Sequence, residues 1–348
     1  MAEYFTAFGW SVISAVLLQR LRYGKLYYVL ANAIPLILYC GLRDKLEGSD
    51  TVAYYAIYTG VIHGADNGAI EPSIEYISYA IDYFDGSAET LIFVYAFMSI
   101  VGMMIFFYHI SKNIYITIPC YIAVQYYFLF NGIRQGMAIA LLCNAMLYLW
   151  NGKKTLFYIL AFVAIFFHYS AIIFLPLVLI NPLSTKKFFI SVIVIALVLG
   201  IMFNNDNLFL SYFVPEKYIW YLMDAHYADT GISSMKFIRG LLFLFVALWG
   251  LYLNKHIQTD CDKNINLWLA FFSFLTFCDI IATDRMRILL RFEPYFNVFI
   301  CVYIPILLRY VKQPWRTWIY PGMYILFVLY IIRCVEITGT TMIPSIKQ

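Results

Sequence analysis

The sequence predicts an all-α, polytopic integral membrane protein, and three observations carry that prediction. Of the 348 residues, 63% are hydrophobic and only 13% charged, against about 25% charged in an average soluble domain. The apolar residues fall in long runs, matching helices that cross or half-cross a bilayer. Those runs do not alternate apolar with polar residues, which excludes an outer-membrane barrel. About 11–12 spanning or half-spanning helices are expected, in a single transmembrane domain over 1–348. A net charge of +4 is too small to imply a nucleic-acid partner, no basic stripe is present, and none is expected. The seven cysteines show no metal-ligand or disulfide spacing and read as small buried hydrophobes.

In chain order, a first span over 4–19 is retained rather than cleaved, because it lacks a basic leader and a small-residue cleavage site. Arg20, Arg22 and Lys25 follow it, and 26–42 forms a second span with Pro35 as a kink. The polar segment 43–89 contains only two Lys or Arg residues, so the positive-inside rule puts it outside the cytoplasm. Val52, Tyr55, Ile57 and Tyr58, then Ile74, Ile77, Ser78 and Ile81, predict amphipathic helices along the membrane surface. Spans follow at 90–110, 114–130 and 133–150, with Lys112, Lys153 and Lys154 inside and Asn131 outside. The run 155–180 has basic residues in both flanks, so charge parity predicts two short helices broken near His168-Tyr169-Ser170. A span at 188–203 leads to a second outer loop, 204–236, and spans at 237–253, 265–282, 288–308 and 317–335 complete the chain.

Cationic groups gather on the outer side. Arg134, in Asn131-Gly132-Ile133-Arg134-Gln135, falls in a first helical turn, where free N–H groups and the macrodipole favour an anion. On a continuous helix Asn131, Arg134, Gln135 and Ala138 share one face. Arg291 and Tyr295 lie one turn apart near the start of a later span, and Arg43 and Arg285 occupy outer links. Guanidinium forks suit phosphate, so Arg134, Arg291, Arg43 and Arg285 predict a pyrophosphate pocket. Salt bridging is the alternative for Arg43 with Asp44 and Arg285 with Asp284, whereas Arg134 and Arg291 have no adjacent acid except Glu293.

His168 and Asp50 are the candidate general bases, a role in which neutral imidazole serves well. Against this, His168 also suits a hydrogen-bonded structural role, and Asp50 or Thr51 suits a helix cap. Asn131, Gln135, Tyr54, Tyr218, Tyr221 and Tyr295 are candidate substrate contacts, the tyrosines as stacking surfaces for sugar rings. Glu71 and Glu75 read as a solvated face. No signature of a nucleotide, serine-hydrolase or zinc site is present, and neither cofactor nor metal is expected.

The ordered set Gly41-Leu42-Arg43, Gly48-Ser49-Asp50-Thr51 with Tyr54, Asn131-Gly132-Ile133-Arg134-Gln135 with Ala138, Phe167-His168-Tyr169-Ser170-Ala171-Ile172, and Arg291 with Tyr295-Phe296 resembles the EpsG family of Wzy-type polysaccharide polymerases. The resemblance covers roughly 40 to 305 and leaves 317–348 unmatched. It implies a glycosyltransferase C-like enzyme of the bacterial inner membrane, with its site facing the periplasm; arginines that offset the leaving charge would make it metal-independent, and direct displacement would make it inverting. Its donor and acceptor would be oligosaccharides on undecaprenyl pyrophosphate, destined for O-antigen, capsule or exopolysaccharide, with membrane lipid around it and a chain-length regulator as a further partner. The alternatives are a flippase or exporter of the same lipid-linked units and an O-antigen ligase-like glycosyltransferase.

Overall fold

The computed structural model describes residues 2–48, 50–64, 71–179, 190, 234–282 and 291–341, and every regular element within them is helical. Five helices among these residues are long and apolar enough to cross a membrane, with shorter apolar helices between them. The polytopic all-α prediction therefore holds. The chain divides into two compact units: Met1–Leu175 with Val311–Gln348, and Pro176–Tyr310.

In the first unit, α1 (Ala2–Leu18) and α2 (Gly24–Gly41, with Pro35 inside) pack together, and α2 packs on α5 (Ala88–Ile110). Between α2 and α5 the outer segment forms the two expected short helices, α3 (Thr51–Ile62) and α4 (Pro72–Tyr83). Their starts follow local chemistry. Pro72 at the first helical position of α4 has its ring φ already set for a helix, and its missing N–H is one that the first turn leaves unpaired. Ser87 and Thr90 close a reciprocal capping box at the head of α5. At the head of α6 (Ile114–Val124), the Asn113 side chain accepts the Tyr115 N–H at 3.2 Å. A 3-10 turn, Tyr126–Phe130, leads from α6 into α7 (Ile133–Trp150), which lies between α5 and α8 (Lys154–Phe167).

The predicted break at His168 is present. Helix α8 ends at Phe167, His168 is extended at φ −156° and ψ 121°, and a 3-10 segment, Tyr169–Val178, follows. The long C-terminal helix, Trp315–Thr341, belongs to the first unit and packs on α6, with the Tyr324 hydroxyl donating to the Tyr115 carbonyl at 2.9 Å.

The second unit is described over α9 (Ser234–Leu253), α10 (Asp260–Ala282), α11 (Glu293–Asn297) and α12 (Ile300–Leu308). Helices α9 and α10 pack side by side and are pinned by buried polar contacts. Asn266 donates to the Gly250 carbonyl at 2.9 Å and accepts the Tyr303 hydroxyl at 3.1 Å. The expected span 288–308 is interrupted in its described part, with a turn between α11 and α12. The predicted span 188–203, except residue 190, and the loop 204–236 up to residue 233 lie outside the described residues.

Candidate functional site

The geometry of the first unit begins with the chain just before α7. Three successive carbonyls there are engaged by the outer segment. Arg43 donates through Nη1 to the Leu129 carbonyl at 3.4 Å and to the Cys40 carbonyl at 3.0 Å, and through Nε to the Thr51 hydroxyl at 3.0 Å. Gly48, at φ +85°, lies so close to the Phe130 carbonyl that a Cβ would collide with it. Tyr54 donates its hydroxyl to the Asn131 carbonyl at 2.9 Å. The Arg43-to-Tyr54 segment is thus latched onto the start of α7, which brings two separated sequence motifs to one place.

Arg134 sits in the first turn of α7, as predicted, with its guanidinium carbon 5.6 Å from the centroid of the Tyr54 ring. Its Nη1 is ion-paired with Oε2 of Glu71, at the head of α4. The other carboxylate oxygen, Oε1, lies 2.8 Å from Nδ1 of His168. One carboxylate therefore joins the guanidinium of α7 to the imidazole at the break after α8. Helix α4 is held in place by a stack of Tyr76 on Phe166 (centroids 5.9 Å apart, 22° between planes) and by a 2.9 Å hydrogen bond between Ser73 and Tyr95 of α5.

The cluster is buried: the Glu71 side chain is 2% exposed, His168 7% and Arg134 19%. Burial alone would push the Glu71 carboxyl up, but the His168 contact and the Arg134 charge outweigh it and hold the carboxyl down at about 2. Glu71 is thus ionised at any physiological pH. Arg134 keeps further donor capacity, since its buried Nε makes no hydrogen bond.

Sequence reasoning placed Glu71 and Glu75 together on a solvated face. The structure separates them, with Glu75 exposed and Glu71 enclosed as the partner of Arg134 and His168. Arg134 has no acid adjacent in sequence, and the salt bridge that was its alternative reading is made to this distant one. Only charge accounting could have pointed to Glu71, because a guanidinium at a helix head inside an apolar chain requires a partner. Local pattern does not say which of the many outer-loop acids supplies it.

Of the other predicted site residues, Asn131 precedes α7 rather than lying on its face, and Gln135 is buried in the first turns of that helix. Asp50 stands exposed at the head of α3 without a side-chain capping bond. Arg43 does not pair with Asp44, whose carboxylate accepts the Leu46 N–H at 2.8 Å. In the second unit, Arg291 is half-buried and Tyr295 buried. Nearby in that unit Glu293 pairs with Arg239 at 2.9 Å, and buried Asp279 lies within electrostatic range of both. Arg285, Tyr218 and Tyr221 lie outside the described residues. Among the described residues no group of three His, Cys, Asp or Glu side chains could hold a metal ion.

Comparison with family models finds a match to the EpsG family over residues 26–344, nearly the whole chain. This chain belongs to the EpsG family. The family is that of the Wzy-type polysaccharide polymerases, so the general activity is glycosyltransferase-like polymerisation by a membrane protein. The match extends the resemblance through the last described helix, which motif reading had left unmatched. Comparison with curated proteins and with solved structures finds no match.

Proposed function

We propose that this EpsG-family protein joins oligosaccharide repeat units carried on undecaprenyl pyrophosphate, at the periplasmic face of the bacterial inner membrane. The observation that carries this reading is the meeting of Arg134 and His168 on Glu71. An anion-binding group and a proton acceptor are held side by side in a dry site. The orientation is supported by the placing of charge in the first unit. The basic residues Arg20, Arg22, Lys25, Lys112, Lys153 and Lys154 lie in or beside the links α1–α2, α5–α6 and α7–α8. The outer segment, the start of α7 and the break at His168 meet at the opposite ends of those helices.

In the proposed reaction, a hydroxyl of the incoming unit gives its proton to the His168 imidazole as its oxygen attacks the anomeric carbon of the donor chain. The bond from that carbon to the pyrophosphate oxygen breaks, and the electron pair leaves on the pyrophosphate. The Arg134 guanidinium offsets the negative charge that grows there, in place of a metal. The imidazolium then returns its proton to the leaving group or to water. A single displacement of this kind inverts the anomeric centre. Arg291 and Arg285, in the second unit, stay candidate phosphate ligands on the sequence alone, and Asp50 is the reserve candidate for the base.

The test is complementation of a strain that lacks its polymerase, read as the size ladder of surface polysaccharide on a gel. Loss of the protein leaves one repeat on the lipid anchor if it is a polymerase, no surface unit if it is a flippase, and unattached polymer if it is a ligase. Arg134→Ala, Arg291→Ala and His168→Ala are expected to leave single repeats. Long polysaccharide at the wild-type level with a normally accumulating variant removes that residue from its role.

A further inference from the structure

Helix α4 starts at the charged cluster and carries a row of exposed aromatic rings away from it. Glu71, immediately before its first residue, is ion-paired with Arg134, and Tyr76 in its second turn stacks on Phe166, two residues before His168. Its twelve residues extend about 18 Å. The aliphatic side of α4 is used inside the protein: Ser73, Ile74, Ser78 and Ile81 are buried, and the helix packs on α3, α5 and α8. On the other side Tyr76, Tyr79 and Tyr83 stand three and four positions apart, which puts them in one row. With Phe84, just past the helix end, they are between 48% and 82% exposed. Glu75 and Asp82, also exposed, border the row, and the helix contains no Lys or Arg.

A contiguous exposed aromatic patch marks a surface that meets a partner, and its neighbours narrow the choice. A helix that lies on a bilayer turns its apolar side into the lipid and lines its polar side with Lys or Arg. Helix α4 does neither, since its isoleucines are spent on the protein and its charges are carboxylates. A partner for this face must offer flat apolar surface to the rings and hydrogen-bond donors to the carboxylates. A carbohydrate chain offers both, through the C–H faces of its rings and through its hydroxyls.

We propose that the outer face of α4 is a binding track for the carbohydrate chain, which stacks on Tyr76, Tyr79 and Tyr83 and donates hydroxyl hydrogens to Glu75 and Asp82. This rests on the polymerase reading and adds to it the surface that holds the growing chain between additions. The track begins at Glu71, so a chain whose reacting end is at Arg134 meets the tyrosines without leaving the protein. Holding it there favours a further addition over release.

The test uses the full chain with a fluorophore on Ala80→Cys, an exposed position of the same helix. The unaltered chain gives the background from exposed Cys261. The probe is the polysaccharide of the complemented strain, freed of its lipid by mild acid. The fluorophore should respond to this polysaccharide in detergent, and in vesicles of brominated phosphatidylcholine it should not be quenched. Tyr79→Ala/Tyr83→Ala should weaken binding about tenfold or more, as loss of aromatic contacts does at an interface. Tyr79→Phe/Tyr83→Phe keeps the rings and should bind nearly as the parent does. Tyr76 is left in place, because its stack on Phe166 also anchors the helix. In the complementation strain the Ala pair should still polymerise, with its size ladder shifted to shorter chains.

Unchanged affinity of the Ala pair, or a ladder of wild-type length from it, overturns the inference. So does quenching by the brominated lipid, which gives the face to the bilayer. Single repeats alone from a normally accumulating Ala pair would put the tyrosines in the reaction step and overturn it too. If the Ala pair does not accumulate, the fluorophore on the Ala80→Cys chain still decides, since no response to the polysaccharide overturns the track. A wild-type chain that restores no polymer is a different result, which removes the polymerase reading.

Discussion

Arg134, in the first turn of α7, is ion-paired with Glu71, 63 positions earlier in the chain. The pair ties the head of the short helix α4 to a helix long and apolar enough to span the membrane. Removing one partner leaves the other as an uncompensated charge in a largely dry place. Glu71→Ala is therefore expected to cost on the order of 3 kcal/mol, read as a lowered midpoint of thermal unfolding in detergent. Arg134→Ala should cost less, because the remaining carboxylate keeps its His168 contact. The double variant should be more stable than Glu71→Ala alone. A double variant whose loss equals the sum of the two single losses would show that the residues do not interact.

Acid should reach the same pair by another route. The Glu71 carboxyl is held at about 2 in the folded chain, against an ordinary value of 4.5. A depressed value means that ionisation favours the folded state. That contribution is complete above about pH 4.5 and fades as the pH falls through the folded value near 2. Between those limits the unfolded chain takes up the proton first, so stability drops with each step downward. Glu71→Gln removes the titrating group. Its unfolding midpoint should thus lie below that of the wild type at pH 6 and converge with it as the pH approaches 3. Parallel curves for the two proteins over this range would assign the acid sensitivity to other groups.

Much of this arrangement was legible in the sequence, and the parts that were not share one cause. The periodicity around Ile74, Ile77 and Ile81 predicted α4, and charge parity across 155–180 predicted the break at His168. The place of Arg134 in a first helical turn followed from the apolar run that begins at Ile133. All of these are local signals. The joining of Glu71 to Arg134 and His168 is not local, since it depends on where α4 docks against α5 and α8. In the sequence Glu71 is one acid among many in a polar loop, and its neighbour Glu75 stays exposed. The same limit applies to Arg43. Its composition suited phosphate binding equally well, yet the fold commits its Nε and Nη1 to Thr51, Cys40 and Leu129.

The latch between Arg43 and the start of α7 makes Gly48 the most sensitive position outside the charged cluster. At φ +85° any L side chain is strained, by about 1–2 kcal/mol, and a Cβ there also meets the Phe130 carbonyl. That carbonyl belongs to the 3-10 turn leading into α7, so it cannot retreat without shifting Asn131 and the first turn that presents Arg134. Gly48→Ala should therefore lower both thermal stability and polymer formation. Tyr54→Phe removes one hydrogen bond to the Asn131 carbonyl but keeps the ring beside Arg134. It should cost only about 1 kcal/mol, with most activity retained. Unfolding midpoints and polysaccharide ladders for the two variants check the order. If Gly48→Ala proves the milder change, the outer segment is not anchored through that carbonyl.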